Sequence, residues 1–172
     1  MPAVWQRSIE EALAVVELLD ERIAPLEKEL APIARADRDV ALLVTIPGVG
    51  DLLALTLAAE IADISRFPSP RKLVGYAGMA PGVNQSGDRS KSGLPLSKAG
   101  SRTLRWAAVE AAQRQANGTK LRADFGRITA NHGDTGAARK IARVAVARKI
   151  VTLVFYGLRD GTIRSRAIEQ TA

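Results

Sequence analysis

Leu43-Val44-Thr45-Ile46-Pro47-Gly48-Val49-Gly50-Asp51-Leu52-Leu53-Ala54-Leu55-Thr56-Leu57 is an apolar helix end, a Pro-Gly-Val-Gly turn and the start of a second apolar helix. It reads as a helix-hairpin-helix, an element that grips a nucleic-acid backbone. Gly48 and Gly50 permit a tight turn with positive φ and let the main chain approach a ligand closely. The free N–H groups of the second helix's first turn, aided by the helix dipole, then point at a phosphate oxygen. Such a contact positions DNA or RNA without reading its sequence. The other reading is an ordinary helix C-cap and turn within a helical bundle.

Outward from this turn, the chain reads as all-α. Toward the amino terminus, apolar residues repeat every seven positions. Ile9, Val16, Ile23 and Leu30 form one register, and Trp5, Ala12, Leu19, Leu26 and Ile33 the other. A seam of this length over residues 1–36 predicts a coiled-coil-like helix that serves as a linker and dimerisation arm, or one packed on its own domain. Pro25 should kink it, because a mid-helix proline removes a hydrogen bond and crowds the preceding turn. Asp37 is placed to cap a helix over Val40 to Ile46, and a second helix is expected from about Asp51 to Ala62. Ser69 and Pro70 open a short helix through Tyr76.

Beyond it, Gly75 to Gly100 is the longest irregular, glycine-rich segment, and a long loop inside a compact domain is usually functional or disordered. Helix returns from Ser101 to about Gln115, with Leu104, Ala107, Ala108, Ala111 and Ala112 on one face. A shorter helix follows over Lys120 to Asn131 and a long one from Gly136 to about Gly157. In that last helix Ile141, Val144, Ala145, Val151, Leu153 and Phe155 are available for the core. Arg139, Lys140, Arg143, Arg148 and Lys149 are available for solvent or DNA. The organisation is thus an arm (1–36), a helical domain (37–160) and a basic, frayed tail (161–172).

Charge divides along the same line. Residues 1–40 hold five basic and nine acidic residues, whereas residues 41–172 hold twenty basic and nine acidic. A basic body joined to an acidic arm suggests a polyanion partner for the body and another task for the arm. The 172-residue chain has no cysteine, which excludes disulfides, thiolate zinc sites and a thiol nucleophile. No apolar run approaches membrane-spanning length and the first residues are not a signal core, so a soluble, cytoplasmic protein without a membrane partner is expected.

Chemistry concentrates in Met79-Ala80-Pro81-Gly82-Val83-Asn84-Gln85-Ser86-Gly87-Asp88-Arg89-Ser90-Lys91-Ser92-Gly93. Residues 66–105 carry eight basic residues against the single acid Asp88. A serine here can attack a phosphodiester whose developing charge is stabilised by nearby cations. It still needs activation, and the single histidine, His132, lies between two later helices. On the residues alone, a phosphate-binding loop without catalysis is the more economical reading.

The ordered series Ile46-Pro47-Gly48-Val49-Gly50, Ala58-Ala59-Glu60-Ile61-Ala62-Asp63 with Arg66-Phe67, Tyr76-Ala77-Gly78-Met79-Ala80-Pro81, Gln85-Ser86-Gly87, and Ser97-Lys98-Ala99-Gly100 with Leu104-Arg105 resembles a known family. It is similar to the C-terminal domain of the IS-one-ten, one-sixteen and nine-oh-two insertion-sequence transposases, and the likeness covers residues 43–112. The resemblance implies a DNA-acting recombinase in two parts. One is an RNase-H-like domain with four acidic metal ligands, the other this helical domain with a serine nucleophile, and some members are guided by a structured RNA. It places the catalytic serine on Ser86, with Ser90 and Ser92 as second choices. DNA contacts are expected at Gly48, Gly50, Arg89, Lys91, Lys98, Arg102 and Arg105.

The resemblance implies no metal ligand in this chain. Glu60 and Asp63 share a helix face but read as capping or salt-bridging residues, and magnesium is expected with the RNase-H-like domain. Nothing in residues 1–40 matches that domain. The expectation is therefore a truncated frame, a fragment or half of a split enzyme, inactive alone, working as a homodimer or higher oligomer with the missing domain in cis or trans. The rival class is a non-catalytic helix-hairpin-helix DNA-binding module, which would be indifferent to every serine substitution. A third reading is a dimerisation protein with an incidental basic face.

Overall fold

A computed structural model describes residues 2–82, 85–86, 89–90 and 95–163. Among these residues the chain forms helices α1 (Ala3–Ala36), α2 (Arg38–Leu43), α3 (Asp51–Ile61), α4 (Pro70–Tyr76), α5 (Arg102–Gln113), α6 (Lys120–Asn131) and α7 (Gly136–Asp160). A 3₁₀ turn, Ile64–Arg66, joins α3 to α4, and two short strands, β1 (Gln85–Ser86) and β2 (Arg89–Ser90), lie between α4 and α5. The architecture is all-α.

Helix starts follow local chemistry. The Asp37 carboxylate accepts from the Asp39 and Val40 N–H groups at 2.8 and 3.0 Å, capping α2 as the sequence predicts. Ser101, Thr119 and Thr135 cap α5, α6 and α7 in the same way. Ser69 departs from expectation: its hydroxyl makes no cap bond, and α4 starts on the preset φ of Pro70 instead.

The core is built around α7, which packs against α2, α4, α5 and α6. Its buried face is Ala138, Ala142, Val146, Ala147, Ile150, Val151, Val154 and Phe155. Val151 and Phe155 were expected there; Ile141 is instead half exposed, and Val144, Ala145 and Leu153 are only partly buried. Small residues take their place because α5 presents its own alanine stripe, Ala107, Ala108, Ala111 and Ala112, all buried, and two small faces let helices approach closely. That α5 stripe is the one predicted.

Helix α1 runs unbroken through Pro25 and Pro32. The carbonyls that lose their partners there, on Glu21 and Lys28, belong to exposed residues, where water can accept the role. Only its carboxyl end touches the body: Ala34 is buried, and Arg35 pairs with Asp51 at 3.6 Å. The seam residues Trp5, Ile9, Val16, Leu19, Ile23, Leu26 and Ile33 are all exposed. Packing of the whole arm on its own domain is therefore not what this chain does. At the other end, Gly161 closes α7 by donating to the Gly157 carbonyl at 2.8 Å, and Ile163 packs against the core, so the segment after Asp160 begins docked. No helix among the described residues is long and apolar enough to cross a membrane.

Candidate nucleic-acid interface

The turn between α2 and α3 is fixed from behind. Ile46 and Val49 are buried, and the Val49 N–H donates to the Ile46 carbonyl at 3.0 Å. Gly48 has φ +84°, and a Cβ on it would overlap the Ala111 carbonyl and the Gln115 amide. Glycine is required here by helix packing as well as by backbone conformation. The Gln115 side-chain amide, itself buried, donates to the Pro47 carbonyl at 2.5 Å and to the Ala111 carbonyl at 2.8 Å. It ties the turn to the carboxyl end of α5.

Gly50 is the opposite case. It is exposed, nothing stands where a Cβ would point, and it occupies the N-cap of α3. Among the described residues the N–H groups of Gly50, Asp51, Leu52 and Leu53 donate to no protein acceptor; the first bond of α3 runs from Ala54 to Gly50 at 2.8 Å. The structure thus separates the two glycines by role: Gly48 faces α5, and Gly50 faces out beside unpaired N–H groups.

The segment carrying Ser86 has an ordered base. Gly82 donates to Pro95 at 2.8 Å, Ser97 to Ala80 at 3.0 Å and Lys98 to Gly78 at 3.1 Å, with Pro81 paired to Leu96. These bonds zip residues 78–82 and 95–98 into an antiparallel stem. Beyond it, β1 and β2 pair antiparallel with Gln85 opposite Ser90 and Ser86 opposite Arg89. What reads in sequence as irregular loop is thus a two-stranded arm at its base and near its tip. The signal was missed because prolines and glycines dilute the two-residue alternation on which strand recognition depends. Lys91 and Ser92 lie outside the described residues.

The arm's base is fastened to α5. The Arg105 guanidinium donates to the Ala77 carbonyl at 3.0 Å and the Lys98 carbonyl at 3.3 Å. Gly100, at φ +135°, passes so close that a Cβ would overlap the Tyr76 carbonyl, which accepts from Ser101 at 2.7 Å. Arg105 is therefore engaged as a brace, half-buried, whereas Lys98 and Arg102 are exposed and form no ion pair among the described residues. Glu60 accepts from the Tyr76 hydroxyl at 3.3 Å, and Asp63 accepts from the Ser65 N–H at 2.8 Å and from its hydroxyl at 2.6 Å. Asp63 is a cap, as expected, and Glu60 is held by a tyrosine rather than a cation. Among the described residues no three carboxylate or imidazole groups gather that could hold a metal ion.

One feature lay beyond sequence reading: a groove of about 800 Å³ between α4, the stem and α7. Pro70, Val74, Ala80, Pro81 and Ala145 supply apolar wall, and Arg71, Arg148 and Lys149 supply charge. Arg71 and Arg148 are exposed and form no ion pair, while Lys149 reaches across to Asp124. Burial pushes the Asp124 carboxyl up, but hydrogen bonds from Lys149 and Arg127 outweigh it and hold the group below its ordinary range. Residues 71 and 148 are too far apart in sequence for any local pattern to join them.

The described residues thus form an all-α body bearing a glycine turn, a braced two-strand arm and a cation-lined groove. Residues 40–125 match the model of the Transposase IS116/IS110/IS902 family. The chain belongs to that family. It is 36% identical over 94 residues to the transposase for insertion sequence element IS1111A of Coxiella burnetii, covering 55% of this chain and 26% of that protein. It is 31% identical over 136 residues to the transposase for insertion sequence element IS1328 of Yersinia enterocolitica, covering 74% and 40%. It is also 30% identical over 126 residues to the pilin gene-inverting protein of Moraxella bovis, covering 70% and 37%. The chain thus spans between a quarter and two fifths of the length of these relatives.

Proposed function

We propose that this chain is the DNA-binding, serine-bearing part of a transposase that cleaves and rejoins strands, completed by an RNase-H-like domain supplied in cis or trans. The observation that carries the reading is the Ser86 arm: a stem locked to α5 by Arg105, with Ser86 near its tip in register with Arg89. The arm supplies placement of the hydroxyl against phosphorus, and the activation that a serine needs would come with the partner domain. In the step proposed, the Ser86 oxygen bonds to phosphorus and the P–O bond to the departing strand breaks. The serine proton passes to that leaving oxygen, and reversal by another strand's hydroxyl rejoins the DNA.

The exposed N–H groups at Gly50 and the first turn of α3 hold backbone phosphate, with Lys98 and Arg102 adding charge. Arg89 and Lys91 belong to the same contact set. Magnesium and its carboxylates belong to the partner domain. A guide RNA is a further partner by family likeness. The exposed seam of α1 carries homodimerisation or higher assembly.

Substituting Ser86→Ala in an enzyme that contains both domains tests the reading. Strand exchange should vanish while DNA binding persists; retained exchange removes Ser86 from the nucleophile's role and favours a non-catalytic binding module.

A further inference from the structure

The groove between α4, the stem and α7 differs from the turn and the arm in what it offers. Its three cations come from two helices, Arg71 at the start of α4 and Arg148 with Lys149 on α7, while its walls are proline, valine and alanine. Asp124 neutralises Lys149, leaving Arg71 and Arg148 as unpaired charges among the described residues. A simple anion would need only the charges. An acidic peptide combines charge and apolar surface only in particular sequences. An unpaired nucleic-acid strand presents both, since its phosphates are anionic and its sugars and bases have apolar faces. The volume, about 800 Å³, lies within the range of ligand sites and suits a short strand rather than a duplex body. The stem residues Ala80, Pro81 and Gly82 form one wall, so the groove opens at the root of the arm that carries Ser86.

We propose that this groove binds one phosphodiester strand, with Arg71 and Arg148 each engaging a phosphate, so that an unpaired strand is held at the base of the Ser86 arm. The proposal rests on the nucleic-acid reading above and adds to it a second contact surface, separate from the Gly50 turn, and a preference for unpaired over paired strand.

The test is fluorescence anisotropy with a labelled mixed-sequence oligonucleotide as single-stranded DNA, as single-stranded RNA and as duplex, across a salt series. The full chain is compared with Arg71→Gln/Arg148→Gln and with Lys120→Gln/Arg122→Gln, whose cations are exposed and outside the groove; circular dichroism checks that each variant folds. The groove variant should lose about tenfold in single-strand affinity, and its salt slope should fall by about 1.4, since each strand phosphate contributes about 0.7. The control pair should stay within about twofold. Loss in either the DNA or the RNA arm supports the assignment and identifies the sugar. A groove variant that matches the control while the parent chain binds overturns the groove alone, as does a loss confined to duplex. A parent chain that binds none of the three at low salt overturns both the groove and the nucleic-acid reading.

Discussion

Arg105 on α5 and Gln115 just beyond its end, ten positions apart, each reach across to hold a different element. Arg105 donates to the Ala77 and Lys98 carbonyls at the root of the Ser86 arm, and Gln115 donates to the Pro47 carbonyl in the glycine turn. Arg105 sits in the first turns of α5 and Gln115 just past its carboxyl end. The turn and the arm are therefore fastened near opposite ends of one helix.

Removing the Gln115 clamp should loosen the turn without touching its exposed face. Gln115→Leu leaves the Pro47 carbonyl without its donor, a loss of about 1–3 kcal/mol. Chemical denaturation should show the midpoint falling with the slope unchanged. Unaltered stability would mean that the amide contributes nothing net to the turn.

The two glycines of the turn should respond differently. Gly48→Ala meets left-handed backbone, costing about 1–3 kcal/mol, and overlap with α5, costing about 1–3 kcal/mol more. Gly50→Ala meets neither, with φ −94° and open space around it, so its effect on stability should stay within about 0.5 kcal/mol. Thermal melts of the two variants side by side check this, and equal losses would contradict the assignment of Gly48 to packing.

Arg105→Gln should free the arm's root. Limited proteolysis should then cut between residues 78 and 100 several times faster than in the parent chain, while cleavage elsewhere is unchanged. A uniform rise in cleavage would indicate a general loss of stability instead.

Asp124 links α6 to α7 through Lys149, and its depressed pKa sets a direction for pH dependence. The carboxylate contributes stability above its unfolded pKa of about 3.9, and that contribution fades as pH falls through the lower folded value. Asp124→Asn should therefore destabilise the protein by about 1.5–3 kcal/mol at neutral pH. Denaturation of parent and variant at neutral and strongly acidic pH should show that difference shrinking on acidification; a difference that grows would reverse the sign assigned here.

How far the sequence could be read depended on the range of the interaction. The Asp37 cap, the alanine face of α5 and the bounds of α6 are set by neighbours within a turn or two, and each was legible. On α7 the buried face is chosen by the helices packed around it, so Ala142 and Ala147 are fully buried while the larger Ile141 is half exposed. The bracing bond from Arg105 to the Ala77 carbonyl, twenty-eight positions away, has no local signature either. The pairing of Pro47 with Gln115, sixty-eight positions apart, and the groove formed by Arg71 and Arg148 have no local signature at all.

The central claim is that Ser86 forms the bond to DNA. The direct measurement is to trap the protein–DNA adduct from an enzyme containing both domains, digest it and identify the DNA-linked peptide by mass spectrometry. The account predicts a linkage at Ser86 that disappears in Ser86→Ala and survives in Ser90→Ala and Ser92→Ala. An adduct that persists in Ser86→Ala, or maps to another residue, would contradict it.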